Sequence, residues 1–147
     1  MSPTPFPQSA APQIDCNTPV LMAEVLARVP AGFPSPAQDH AVSRIDLNQV
    51  LVRHPLATYF MTVSGPSMRD AGIDDGDRIV VDRALTPQHG NVVVAVIDGE
   101  LTVKRLHRKN GVVKLVAANP TFPEIRMREE TDLQVWGVVT FCIKKIR

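Results

Sequence analysis

Two turn dipeptides, Asp98-Gly99 and Asn110-Gly111, sit between runs of apolar and β-branched residues, and they constrain this chain more than any other feature. A two-residue hairpin turn of the favoured type needs positive φ at both central positions, which Asp, Asn and Gly tolerate best. The pair therefore predicts a three-stranded antiparallel meander over residues 91–97, 100–108 and 112–117. Further strands are expected over 58–63, over 77–82 with its Ile79-Val80-Val81 core, and over 133–143 with Trp136 and Phe141. Asp46 is placed to cap a short helix through Asn48, Gln49 and Arg53, stopped by Pro55. The expected fold class is mainly β: a compact domain with short helices.

The N-terminal stretch has another texture. Eight of the thirteen prolines fall within the first 36 residues, which also carry few charges. Sequence of this kind buries too little apolar surface to offset its ordering entropy. Residues 1–40 are expected to form a mobile, Pro-rich arm, and residues 41–147 the folded body. One short helix is expected in the arm, with Thr18 as N-cap, Pro19 at its first position, Val20 to Val29 as its length and Pro30 as its stop.

Composition narrows the function classes. The net charge is +1, and the basic residues make no broad patch beyond the closing Lys144-Lys145-Ile146-Arg147. No extended electrostatic face for nucleic acid is expected, and no direct sequence-specific DNA binding. Cys16 and Cys142 lie far apart, outside any Cys-x-x-Cys or metal-like spacing, and are expected as free thiols of a reducing compartment. No apolar run reaches the length of a membrane span, and the N-terminus lacks the charged and apolar regions of a secretory signal, so a cytoplasmic protein is expected. The acidic run Asp70, Asp74, Asp75 and Asp77 does not have the spacing of a calcium loop and reads as a solvated turn. No metal or cofactor is expected.

The candidate chemistry lies in two segments. Ser67, in Ser64-Gly65-Pro66-Ser67-Met68, follows a strand and enters a turn that would present its hydroxyl. A hydroxyl is a weak nucleophile and needs a base. The four histidines, His40, His54, His89 and His107, are scattered without a triad signature and read as surface or structural residues. A lysine serves as base only when neutral, and burial lowers its pKa from an unperturbed value of about 10.4. Lys104 lies in the middle strand of the meander, where alternation puts Thr102, Lys104 and Leu106 on one face. Thr102 would then stand beside the amine and orient it. Spacing alone leaves open an ordinary strand lysine and a serine that only stabilises a turn.

The same segments resemble the LexA/UmuD family of Ser–Lys autoproteases. The resemblance rests on Ser64 to Met68, Gly72-Ile73, Asp75-Gly76-Asp77 before an apolar strand, Thr102 to Leu106 and Trp136 to Val139. Residues 31–37, 44–49 and 57–60 are similar to the UmuD side of that family. The resemblance implies Ser67 as nucleophile, Lys104 as neutral base and Ala31-Gly32 as the scissile pair, leaving residues 32–147 as product. It also implies stimulation by a RecA filament on single-stranded DNA in the SOS response. A homodimer of the shortened form, working with the translesion polymerase UmuC, is implied as well. A non-catalytic polymerase-binding module or a LexA-like regulatory module is the alternative, but about 40 Pro-rich residues suit no helix-turn-helix.

Two features depart from the family pattern. The arm is longer and richer in proline. Pro66, immediately before the expected nucleophile, has no N–H to offer to an oxyanion, and one such donor is worth about 2.7–4 kcal/mol of transition-state stabilisation. Slow cleavage or a substitute donor is the expected consequence.

Overall fold

Both turn dipeptides adopt the backbone their residues favour. In the computed structural model, which describes residues 16–34, 36, 41–128 and 133–147, Asp98 and Asn110 have φ of 50° and 52°, and Gly99 and Gly111 have φ of 80° and 73°. They join β5 (Val92–Ile97), β6 (Glu100–Lys109) and β7 (Val112–Val116) into the expected meander. The other expected strands form as β3 (Thr58–Thr62), β4 (Arg78–Asp82) and β9 (Gln134–Ile143). A two-residue β8 (Ile125–Arg126) was not foreseen. The seven strands make one antiparallel sheet in the order β3-β4-β9-β5-β6-β7-β8, so the chain is mainly β as expected.

The core explains why the strands read as near-continuous apolar runs. Val93 and Ala95 pack in a cluster with Leu106, Leu115 and Val138, whereas Val94 packs in another with Val63, Met68, Ile79, Val81 and Trp136. Strands covered on both faces lose the alternation of a half-exposed sheet. Opposite Val80/Val81 and opposite Val94/Ala95 the register shifts leave an extra residue on β9, Thr140 and Trp136, and such bulges bend that strand. At Gly137 on β9, an added Cβ would stand 2.6 Å from Val81 Cγ1, so hydrogen alone fits between these strands.

The N-terminal region departs from expectation. Instead of a helix from Val20, β1 (Leu21–Val25) forms and pairs antiparallel with β2 (Val42–Asp46). A short isolated helix is poorly nucleated, whereas pairing satisfies the backbone of both segments at once. Asp46 ties the ribbon to the body: its Oδ1 accepts from the Val20 N–H at 3.1 Å and from the Asn48 N–H at 3.0 Å. The second bond is the expected N-cap of α1 (Leu47–Leu51), which is C-capped at Val52 and stops short of Arg53. Residues 1–15, 35 and 37–40 of the expected arm lie outside the described residues, as does His40.

Candidate active site

Local chemistry builds the loop that carries Ser67. After β3, Gly65 turns the chain with φ of 90°, and its N–H donates to Asp75 Oδ1 at 2.8 Å. The Val63 N–H reaches Asp77 O, and the Gly76 N–H reaches Val63 O, each at 2.8 Å. Met68 anchors the loop in the core at 1% exposure, and its carbonyl accepts from Ala71 and Ile73 around a single 3₁₀ turn, Arg69–Ala71. Gly72, with φ of 79°, closes that turn. Ser67 is thus half-buried between a buried neighbour and a stapled turn.

The acidic run is more structural than expected. Asp70 stays at the surface beside Arg69. Asp77, however, is buried, accepts from the Asp74 N–H and pairs with Lys144, which holds its carboxyl below the usual carboxylate range. Lys144 also reaches Asp74 Oδ2 at 2.7 Å, so the end of the chain braces the turn behind Ser67.

Lys104 projects from β6, which lies between β5 and β7 in the sheet. It is 8% exposed, and burial pushes its amine below the ordinary lysine pKa. The ammonium loses hydration on entering the protein, while the neutral amine loses far less. Its Nζ lies 2.9 Å from Ser67 Oγ, 2.9 Å from Thr102 Oγ1 and 3.1 Å from Val103 O. An ammonium would donate to all three of these oxygens, whereas a neutral amine has two hydrogens to give and one lone pair. The Val103 carbonyl can only accept, and the Thr102 hydroxyl can accept the second amine hydrogen. The nitrogen lone pair is then left for the Ser67 hydroxyl proton.

The three residues singled out around the base therefore converge, and Ser67, Lys104 and Thr102 form one hydrogen-bonded group. Ala31 and Gly32 do not join it. They lie in exposed bends between β1 and β2, and no hydrogen bond links either to Ser67 or Lys104. The loop that carries them is closed by the Leu26 N–H donating to Ala41 O at 2.9 Å. The described histidines stand elsewhere: His54 bonds Asp82, and His89 stacks edge-on against His107. Cys16 and Cys142 are both free thiols. Sequence reasoning passed over Asn119, a buried side chain bonded to the Pro66 carbonyl. Asn119-Pro120 signals a turn, but nothing local to it points to a loop 53 residues away.

Comparison with known proteins places the chain in a family. A model of the family described as Peptidase S24-like matches residues 23–140. Protein SamA of Salmonella typhimurium is 46% identical over 120 residues, spanning 82% of this chain and 83% of that protein. Protein MucA of Escherichia coli is 48% identical over 119 residues, 80% of this chain and 81% of its own length. The LexA repressor of Bordetella parapertussis is 37% identical over 141 residues, covering 94% of this chain but 65% of the repressor. With a family match across most of its length and relatives this similar, the chain belongs to the peptidase S24 family, the LexA/UmuD group that its motifs resemble.

Proposed function

We propose that this protein is an SOS-response autoprotease that cuts its own Ala31–Gly32 bond with a Ser67–Lys104 dyad. The observation that carries the reading is the 2.9 Å contact between Ser67 Oγ and an amine whose burial favours its neutral form. Lys104 Nζ takes the Ser67 proton as Oγ attacks the Ala31 carbonyl carbon, giving a tetrahedral oxyanion. Collapse breaks the bond to Gly32, and the lysine returns the proton to the departing amine. Water, deprotonated by the same amine, then hydrolyses the Ala31 ester and frees Ser67. The lysine closes the proton balance itself, with Thr102 orienting it. Ala31 and Gly32 suit a crowded nucleophile because together they add little side-chain bulk beside the reacting carbonyl.

In this reading the segment between β1 and β2 is the substrate, and its exposed bends leave it free to approach a Ser67, on the same chain or a partner's. The reaction belongs to the cytoplasm, where a RecA filament on single-stranded DNA stimulates it. Residues 32–147 then act as a homodimer with the translesion polymerase UmuC in error-prone repair. Intact mass spectrometry with and without activated RecA tests the scheme. Wild type should yield a fragment beginning at Gly32, faster with RecA, while Ser67→Ala and Lys104→Ala should each slow cutting by at least about 10³-fold. Undiminished cutting by either variant would exclude that residue from the dyad.

A further inference from the structure

The peptide unit joining Pro66 to Ser67 is gripped at its carbonyl. Pro66 O accepts from Asn119 Nδ2 at 2.9 Å and from the Arg69 N–H at 3.2 Å. Asn119 is 5% exposed and comes from the connection between β7 and β8. Its amide orientation follows from its partners. Asn119 Oδ1 accepts from the Thr121 N–H at 3.1 Å and the Thr121 hydroxyl at 2.8 Å, so the NH₂ end faces the Pro66 carbonyl, which can only accept. A second strut joins the same two loops, the Asp70 N–H donating to Ala118 O at 2.7 Å.

This grip has a consequence on the far side of the peptide. The bond is trans and planar, so its N–H points opposite to its C=O. Holding the Pro66 oxygen therefore sets the direction of the Ser67 N–H. That N–H makes no hydrogen bond to any described residue. Proline removes the neighbouring donor, and the Ser67 N–H is what this stretch retains at the nucleophile. Donors on the carbonyl also polarise the amide and strengthen its N–H as a donor.

From this geometry we propose that Asn119 is a positioning residue for self-cleavage: by holding the Pro66 carbonyl, it aims and polarises the Ser67 N–H toward the developing oxyanion. The inference rests on the self-cleavage reading above. It assigns to a side chain in the β7–β8 connection the task of making one strong donor serve where proline has removed another.

The test uses the full chain and follows Ala31–Gly32 cleavage against pH by intact mass. Asn119→Asp keeps an acceptor for Thr121 but presents no donor to Pro66 O; Asn119→Ala removes the side chain without burying a charge. Each should lower the plateau rate by about 10–100-fold, the scale of a weakened oxyanion donor. The pH midpoint of the alanine variant, which adds no charge, should stay within about half a unit of wild type, because Lys104 is untouched. Circular dichroism should show both variants folded, and if only the alanine variant folds, its profile decides. Rates within about threefold of wild type in a folded variant would overturn the inference. So would a displaced midpoint in the alanine variant, which would mean that Asn119 acts through Lys104, or the unfolding of both variants, which would make its role structural. If wild type itself leaves Ala31–Gly32 intact, or Ser67→Ala cuts equally well, the self-cleavage reading fails instead.

Discussion

The β1–β2 ribbon and the central sheet are both antiparallel β-structure, yet different forces hold them. In the sheet, Val80, Val81, Val93 and Leu106 are 0% exposed. In β1 all five residues are exposed, Leu21 at 56%. Sheet strands gain from removing apolar surface from water at roughly 25 cal/mol per Å². The ribbon relies on ladder hydrogen bonds and the Asp46 carboxylate, and a lone two-stranded ribbon is marginal in water. The difference suits the proposed division of labour. A desolvated amine needs rigid surroundings, whereas a segment destined for cutting must leave its place at small cost.

The largest effect expected from this contrast comes from truncating one side chain in each region, in a Ser67→Ala background that prevents cutting. Leu106→Ala should destabilise the protein by about 2–5 kcal/mol, the range for emptying a buried leucine site. Leu21→Ala should stay within about 0.5 kcal/mol, as exposed substitutions do. Equal losses in urea unfolding would erase the distinction between the two regions.

A smaller effect is expected where β9 passes β4. Gly137→Ala would press a methyl against Val81, which has no room to yield, and should cost about 1–3 kcal/mol. A neutral result in the same unfolding assay would mean that the bulged strands relax more easily than their burial implies.

The smallest effect concerns pH and sharpens the picture of Lys104. Its folded-state pKa lies below its unfolded value of 10.5, so between the two the unfolded chain holds a proton that the folded chain has released. Stability should therefore rise with pH across that window and be lost again as pH falls through the folded pKa. Compared with a matched Lys104→Met chain, the Ser67→Ala protein should gain relative stability as pH climbs from neutral toward 10.5. Parallel stability–pH curves for the two chains would show that the amine is no harder to charge when folded. In wild type, deprotonation of the folded amine should raise the cleavage rate until its lowered pKa is passed, above which the rate levels off.

Much of the sheet was legible because its signals are local. Asp98-Gly99 and Asn110-Gly111 select their turn without reference to the rest of the chain. The N-cap at Asp46 is local too. The helix expected from Val20 failed because its competitor, the partner strand Val42–Asp46, lies elsewhere in the sequence and carries no label of its pairing. The two-residue β8 was hidden for the same reason: Ile125–Arg126 is a strand only because β7 offers it an edge.

At the site, residue types and motifs named Ser67, Lys104 and Thr102, since a hydroxyl nucleophile needs a base and a lysine base needs an apolar strand around it. Their contact could not be read off, because 37 residues separate serine from lysine and only folding brings them to 2.9 Å. Asp77 behind the loop and Asn119 beside it were misread or passed over, since their partners Lys144 and Pro66 lie 67 and 53 residues away.

By itself, then, the order of amino acids determined six of the seven strands of the central sheet, the hairpin turns, the helix cap and the chemical types available to the site, all matters of neighbours a few positions apart. Tertiary structure alone decided which strand the N-terminal segment joins, how deeply Lys104 is dried, and which side chain grips the peptide at Ser67. Burial and long-range hydrogen bonds depend on distances through space, and a linear sequence does not carry those distances.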